Sequence, residues 1–212
     1  SVKVLDLSEN GYPGAEAIVR LTEALQTSKG LLDVDLRGNS LTAKEGEALM
    51  QALGDTRSME RFCGLATKKL RDGELRTIDL YSKKVGPMEG VSIGRILMGT
   101  NKLEMLDLTR NALGTDGISA LAPCFCYLTN LVELSLGSNN IGAEGGKTLS
   151  KGLVHLTLLE RLYLYENDLG PEGCAAVSQG LEGTLKLKQL YLSYNRIEDK
   201  GCVALSAALP VL

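Results

Sequence analysis

Few residues of this chain have the types and spacing that chemistry at a site requires. Cys63 is predicted to face solvent near Arg61 and Lys68, whose charges would favour a reactive thiolate, although a small structural residue explains the position more simply. The single histidine, His155, lies beside Leu156 between two repeating segments, where a turn is expected. The glycines of the LGPEG and IGAEGG segments recur periodically at predicted helix starts, so they do not indicate a phosphate-binding loop. We therefore predict that the protein is not an enzyme.

The cysteines do not have the spacing of a metal-binding site. They are Cys63, Cys124, Cys126, Cys174 and Cys202. No two have the C-x-x-C spacing of a zinc site and the chain has one histidine, so no metal and no cofactor is expected. Cys174 and Cys202 occupy the same place in two repeats, where a small buried helix residue is expected. Free thiols and the lack of an N-x-S/T acceptor favour an intracellular, cytoplasmic location, with organelle targeting by a preceding segment left open.

The composition and charge of the chain restrict the classes of partner that are expected. The 212 residues carry a net charge of −3, and the basic residues are scattered, so a nucleic-acid partner is not expected. No run of 18 apolar residues occurs, so no membrane insertion is predicted. We also expect no small-molecule substrate, because the repeats described next predict a binding surface and not a cleft.

An internal repeat is the strongest feature of the sequence. Residues 159–181, LERLYLYENDLGPEGCAAVSQGL, repeat the pattern of residues 131–153, LVELSLGSNNIGAEGGKTLSKGL, at a distance of 28 residues. The units open at Val2, Leu31, Met59, Leu75, Leu103, Leu131, Leu159 and Leu187. Seven full repeats and one short irregular repeat at about 59–74 therefore fill the chain. A period of this size predicts a single solenoid array over residues 1–212.

Each unit is predicted to contain one strand and one helix. Apolar residues such as Leu162 and Leu164 alternate as they do in a strand. Gly173, Val177 and Leu181 lie four apart and share one helix face. Stacked units then form one parallel sheet with the helices on its other side. Because strands lie about 4.8 Å apart and helices about 8–10 Å apart, the array curves into a horseshoe with the sheet on the concave face and the helices on the convex face.

The array is expected to be weakest around the short unit, where a column of asparagines is interrupted. The asparagines after the strands are Asn10, Asn39, Asn111, Asn139, Asn167 and Asn195. Their amides are expected to satisfy backbone groups of the turn that leaves each strand. Thr67 and Lys83 replace asparagine in the third and fourth units. We predict a break in regular curvature between about Met59 and Leu97.

The repeated L-x-x-L-x-L-x-x-N-x-[LI] pattern, with its 28-residue period and full helix, resembles the ribonuclease-inhibitor-like class of leucine-rich repeats. Units of this kind also occur in NOD-like receptors and in the activating protein of the Ran GTPase. The resemblance covers essentially all 212 residues. It implies a right-handed α/β solenoid that binds protein partners on its concave face and performs no chemistry, and it does not name the partner.

The concave face is predicted to change from acidic to tyrosine-rich along the array. Four tyrosines on the last two strands, Tyr163, Tyr165, Tyr191 and Tyr194, are expected within about 5–8 Å of one another. We predict that they bind a protein partner, because tyrosine supplies large and stiff contact area. The residues expected to extend this surface are Glu166, Arg196, Tyr81, Asp107 and Arg110. The alternative is a ladder of aromatic residues that merely suits the surface of a sheet.

Aspartates occupy the matching place in earlier units, at Asp6, Asp35, Asp79 and Asp107. Local hydrogen bonding or solvation is the favoured interpretation, because L-D-L is common in repeats of this kind. If these carboxylates bind, they would meet a basic segment of a partner and speed association.

A non-enzymatic protein-interaction module is the predicted function. One alternative is a structural subunit held in a large assembly by its convex face or its ends. A second is a GTPase-activating protein related to the Ran activator, with a repeat-edge arginine such as Arg110 or Arg196. A third is a segment of a larger NOD-like receptor. The incomplete first and last units predict that the array is part of a longer chain.

Overall fold

The computed structural model describes residues 2–28, 30–54 and 59–208. Residues 1, 29, 55–58 and 209–212, which the predicted array includes, lie outside the described residues. The strands of the described part are β1 (Val4–Asp6), β2 (Asp33–Asp35), β3 (Arg61–Phe62), β4 (Thr77–Asp79), β5 (Met105–Asp107), β6 (Glu133–Ser135), β7 (Arg161–Tyr163) and β8 (Gln189–Tyr191). Each strand begins two residues after the apolar residue that opens its unit.

One helix follows each of these strands. The helices are α1 (Ala15–Thr27), α2 (Ala43–Leu53), α3 (Thr67–Arg71), α4 (Pro87–Leu97), α5 (Gly114–Leu121), α6 (Gly142–Leu153), α7 (Gly170–Leu181) and α8 (Glu198–Ala208). A 3-10 helix, Ala122–Tyr127, extends α5. Local sequence sets several starts: Thr42 and Glu45 form a capping box at α2, and Pro87 and Pro171 lie in the first turns of α4 and α7.

The strands form two parallel sheets, β1-β2-β3 and β4-β5-β6-β7-β8, so the expectation of one continuous sheet is wrong. The interruption falls in the irregular unit, inside the region predicted to be weak. There Cys63 and Gly64 adopt positive φ angles of 46° and 78°, and Phe62 pairs back with Leu65 in an antiparallel bridge. The chain therefore leaves β3 in a tight turn before it can pair with β4. The short unit holds only this two-residue strand and the five-residue helix α3.

The core lies between the sheets and the helices. The central residue of each inner strand, such as Leu106, Leu134 and Leu162, is fully buried, and these three residues pair in register across β5, β6 and β7. Their neighbours in the strands point away from the helices and form what we call the open sheet face. Consecutive helices pack on one another, except that α2 packs on α4 and α3 lies beside β3.

Small residues allow the helices to approach closely. A Cβ atom on Gly46 of α2 would lie 2.9 Å from the Cα atom of Met88 in α4. A Cβ atom on Gly90 of α4 would lie 2.6 Å from the carbonyl oxygen of Gly117 in α5. Both neighbours are backbone atoms that cannot rotate away. The glycine of the repeat is therefore required by packing and not by a ligand.

Gly90→Ala is expected to lower the free energy of unfolding by about 1–3 kcal/mol, because overpacking outweighs the roughly 1 kcal/mol gain in helix propensity. Urea unfolding followed by circular dichroism measures the change. Gly183→Ala is the control, since its Cβ would meet only the Val154 carbonyl oxygen at an ordinary 3.5 Å. Equal unfolding midpoints for the two variants would contradict this account of helix packing.

The asparagine column forms a ladder of hydrogen bonds between units. The buried Asn167 donates from Nδ2 to the carbonyl oxygens of Leu136 and Leu164, at 2.8 and 3.0 Å, and its Oδ1 accepts the N–H of Asn139 at 3.0 Å. Asn111, Asn139 and Asn195 make equivalent bonds to the preceding unit. The predicted role of these amides is confirmed. The ladder is interrupted between Asn39 and Asn111, across the same units that interrupt the sheet.

Candidate functional site

A row of side chains crosses the five-stranded sheet at the ends of its strands. The parallel register pairs Asp79 with Asp107, Asp107 with Ser135, Ser135 with Tyr163, and Tyr163 with Tyr191. We call these five residues the strand-end row. Because neighbouring strands lie about 4.8 Å apart, the row spans about 19 Å. The two carboxylates lie at one end and the two tyrosines at the other.

The tyrosines at the end of the row stack on each other. The ring centroids of Tyr163 and Tyr191 are 4.7 Å apart, and the ring planes differ by 5°. Tyr163 is half-buried, and Tyr191 is 46% exposed. Burial, with the charge of Glu133 and the Tyr191 ring next to it, raises the pKa of Tyr163 above its ordinary value. Tyr163 thus stays neutral near pH 7, and the stacked pair presents a firm aromatic surface.

The other two predicted tyrosines lie apart from this stack. The Tyr165 ring covers Gly137 of the preceding unit, where an added Cβ would meet the ring at 2.5 Å. Tyr194 lies in the turn after β8, with a positive φ of 57° and 81% of its surface exposed. Tyr165 is therefore held by packing, whereas Tyr194 projects into solvent.

Three charged candidates also occupy turns next to the asparagine ladder. Glu166, Arg196 and Arg110 have positive φ angles of 55°, 50° and 55°. Glu166 accepts a hydrogen bond from the Ser138 hydroxyl at 2.5 Å, and Arg196 pairs with Asp168 at 2.9 Å. Exposed pairs of this kind contribute little stability, so these side chains remain available to a partner.

Tyr81 and Arg110 are brought together at the acidic end of the row. The Arg110 guanidinium lies 5.8 Å from the centroid of the Tyr81 ring, within the range of a cation–π contact. Tyr81 is itself 42% exposed. The structure thus joins two candidate residues from neighbouring units that the sequence did not pair.

The aspartates of the column act first on their own turns. Asp79 Oδ1 accepts the backbone N–H of Tyr81 at 2.9 Å, and Asp107 Oδ1 accepts that of Thr109 at 2.8 Å. Asp6 and Asp35 accept the corresponding N–H groups of Ser8 and Arg37. Local hydrogen bonding, the favoured interpretation, is present at all four positions. It occupies one carboxylate oxygen of Asp79 and Asp107.

Most other carboxylates on the open sheet face are neutralised by a cation. Across the five-stranded sheet Glu104 pairs with Arg76 at 2.8 Å, Glu133 with Arg161 at 2.6 Å, and Glu160 with Lys188 at 2.9 Å. In the first sheet Asp33 pairs with Arg61, and Asp35 with Arg37. Within the described residues, Asp79 and Asp107 have no such ion pair. The acidic end of the row therefore keeps its negative charge.

The structure decides between the interpretations of two cysteines. Cys63 is buried, and burial together with the charge of Glu89 raises its pKa well above the ordinary value; the alternative of an exposed reactive thiol is therefore wrong, and the favoured interpretation as a small structural residue agrees with the burial. The reason is the turn after Phe62, which carries Cys63 inward. Cys174 is buried as predicted, but Cys202 is exposed, because α8 has no described helix on its outer side. All five cysteines are free.

Sequence reasoning missed Glu89, which is buried at the seam between the two sheets. Its Oε2 accepts the backbone N–H of Gly86 at 2.7 Å and so caps the start of α4. Burial raises the pKa of Glu89 to about 7, the charge of Asp35 adds to the shift, and that of Arg37 opposes it. The residue also borders a cavity of about 580 Å³ between the loops of the second, fourth and fifth units. Nothing in the sequence separates it from Glu45, which occupies the same place in the second unit.

Two further classes of site were sought in the part of the chain that the structure describes. No group of three or more histidine, cysteine, aspartate or glutamate side chains there could hold a metal ion. None of the helices described is both long and apolar enough to cross a membrane.

The short parallel strands, buried leucines, asparagine ladder and outer helices define a leucine-rich-repeat solenoid of the α/β class. Three segments, residues 101–122, 127–150 and 185–206, match the family model described as Leucine Rich repeat. No curated protein matches the chain.

Two solved structures are similar to this chain to different degrees. The chain is similar to leiomodin-1 actin-binding site 2 (ABS2), over 68% of this chain and 86% of that one, with 14% identity and a TM-score of 0.56. An internalin (inlF) from Listeria monocytogenes str. 4b F2365 aligns with 97% of this chain and 59% of its own length, at 18% identity and a TM-score of 0.40.

Proposed function

We propose that the protein is a non-enzymatic interaction module that binds a protein partner on the open, concave sheet face. The observation that carries this proposal is the stacked, partly exposed pair Tyr163 and Tyr191. Aromatic residues with firm positions dominate binding energy at protein interfaces, because little side-chain entropy is lost when they are covered. Tyr165, Tyr194, Glu166 and Arg196 extend the surface along the C-terminal units.

We also infer that the units form one array of the ribonuclease-inhibitor-like class. The support is the spacing of 28 residues between hydrogen-bonded asparagines such as Asn139 and Asn167, and the helix of 11 or 12 residues in several full units. The leiomodin-1 fragment, named for actin binding, has a similar fold used to bind a protein. At 14% identity that likeness concerns the fold alone. The five free thiols, two of them exposed, support an intracellular location.

The arguments for a GTPase-activating function are weaker. Such a role would rest on a single arginine at the edge of a repeat, Arg110 or Arg196, whereas protein binding is supported by the stacked and partly exposed tyrosine pair. Tyrosine-mediated protein binding therefore remains the function that the geometry favours.

Replacement of Tyr163, Tyr165, Tyr191 and Tyr194 by alanine is expected to abolish capture of the partner from a native extract. Each hot-spot side chain contributes about 2 kcal/mol or more to binding, so the loss exceeds roughly 30-fold even for one residue. Mass spectrometry identifies proteins captured by the wild type and lost by the variant, and isothermal titration with the purified partner measures the loss.

The matched control removes tyrosines elsewhere. Tyr12 and Tyr127 are exposed but lie outside the strands, so Tyr12→Ala combined with Tyr127→Ala should leave capture unchanged. Thermal melts of both variants separate lost binding from lost folding. A partner retained by the quadruple variant would place the interface on the helices or ends and would favour the assembly-subunit alternative.

A further inference from the structure

The strand-end row has an electrostatic asymmetry. Its acidic end holds Asp79 and Asp107, side by side in register and without an ion pair among the described residues. Its other end holds the neutral tyrosine stack. Ser135, almost fully buried, joins the two ends without adding charge.

The cations near the row do not neutralise these carboxylates. Arg76, Arg161 and Lys188 are each paired with a glutamate of the same face. Arg110 lies over the Tyr81 ring, at 5.8 Å from its centroid. A partner cation would therefore meet two carboxylates that have no ion pair among the described residues.

We propose that the partner of this surface presents an extended basic segment, with an arginine or lysine over Asp79 and Asp107 and an apolar or aromatic side chain over Tyr163 and Tyr191. This rests on the proposed function and specifies the chemistry of its ligand. The charge fits because the free oxygens of Asp79 and Asp107 accept hydrogen bonds and none of the row's side chains repels a cation. The tyrosine stack, which carries no charge, fits an apolar residue.

The spacing of the row fixes the spacing in the partner. The centre of the carboxylate pair lies three strand intervals from the centre of the tyrosine pair, or about 14 Å at 4.8 Å per interval. An extended chain advances about 3.3 Å per residue, so the basic and apolar residues should be about four positions apart. This spacing distinguishes a partner segment that lies along the strand-end row from a partner that is attracted only by the negative charge of the aspartates.

Selection from a phage-displayed library of random twelve-residue peptides tests the inference on the wild-type chain at about 50 mM NaCl, where screening is weak. Enriched peptides should contain arginine or lysine with an apolar or aromatic residue about four positions away. The best peptide, synthesised, should bind the Asp79→Asn, Asp107→Asn variant about ten-fold more weakly, since each partly exposed charge pair contributes up to about 1 kcal/mol. Roughly 0.5 M NaCl should remove most of that difference.

Asparagine is chosen because its Oδ1 can still accept the N–H groups of Tyr81 and Thr109, so both turns are kept. The control variant, Glu47→Gln with Glu182→Gln, changes net charge equally at two exposed positions, one in α2 and one directly after α7, and should bind the peptide as the wild type does. Enrichment of neutral or acidic peptides, no enrichment at all, or equal affinity for the asparagine variant would overturn the basic-segment inference.

The two proposals fail differently. If the four-tyrosine variant loses its extract partner while the asparagine variant keeps that partner and the peptide, tyrosine-mediated binding stands and the basic segment is rejected. If the four-tyrosine variant keeps both its partner and the peptide, both proposals are rejected.

Discussion

Asn167→Ala is expected to lower the free energy of unfolding by about 2–4 kcal/mol. The buried N–H of Asn139 would lose its partner, which costs about 1–3 kcal/mol, and the carbonyl oxygens of Leu136 and Leu164 would each lose one of two side-chain bonds. The side chain satisfies the carbonyl oxygens of Leu136 and Leu164 and the N–H of Asn139, all in its own or the preceding unit. Water cannot replace these bonds, since Asn167 and Asn139 are fully buried. Urea unfolding measured by circular dichroism gives the change.

Asn10 offers a control from the same column. It is exposed, it donates only to the carbonyl oxygens of Leu7 and Ser8, and water can take over both bonds. Asn10→Ala should therefore cost less than about 1 kcal/mol. If the two alanine variants were equally destabilised, the column would act by turn propensity and not by buried bonds between units.

Glu89→Gln is expected to stabilise the protein by about 3 kcal/mol at pH 8 and by nearly nothing at pH 4, since one pKa unit corresponds to about 1.4 kcal/mol. The folded-state pKa of about 7 lies above the ordinary value of 4.5. Between these values the folded state binds more protons than the unfolded state, so stability falls as pH rises through that window. Glutamine removes the buried charge and can still accept the N–H of Gly86. Thermal melts at several pH values test this dependence.

Glu45, which occupies the equivalent place in α2 and forms a capping box with Thr42, should behave in the opposite way. Burial raises its pKa, but hydrogen bonds from the Thr42 backbone, the Tyr12 hydroxyl and the Thr42 hydroxyl outweigh burial and hold the pKa below the ordinary value. Its ionised form is therefore stabilising above the unfolded pKa, and that stability is lost as pH falls through the folded pKa. Glu45→Gln should destabilise near pH 7 and become neutral in acid. A matching sign for the two glutamine variants would refute the assignment of the seam as a low-dielectric site.

Much of the fold can be predicted from the sequence because the same pattern of residues recurs in each full unit. The leucine spacing locates the strands, and the four-residue spacing of Gly173, Val177 and Leu181 locates a helix. The asparagine column predicts bonds that the structure contains. The double sheet does not follow, since it depends on Cys63 and Gly64 adopting left-handed conformations that the regular pattern does not require.

The sequence predicts which residues lie on the candidate site but not the contacts that they make there. Register places Tyr163 beside Tyr191, but the sequence does not indicate that Tyr165 covers Gly137 or that Arg110 lies over Tyr81. The burial of Glu89 cannot be predicted from the sequence either. It arises because α3 is too short to separate α2 from α4, so that these two helices pack directly on each other. These features depend on contacts between units, whereas the sequence pattern describes one unit at a time.

The direction of the asparagine ladder has a consequence for synthesis of the chain. The Oδ1 of Asn111 accepts N–H groups of Lys83 and Val85, so the turn of one unit is completed by an amide supplied from the next. On the ribosome, where the N-terminal end emerges first, a newly exposed unit must wait for its successor before its buried polar groups are satisfied. The unit that emerged last therefore always has buried polar groups that lack their hydrogen bonds, and folding of the array proceeds one unit behind its synthesis.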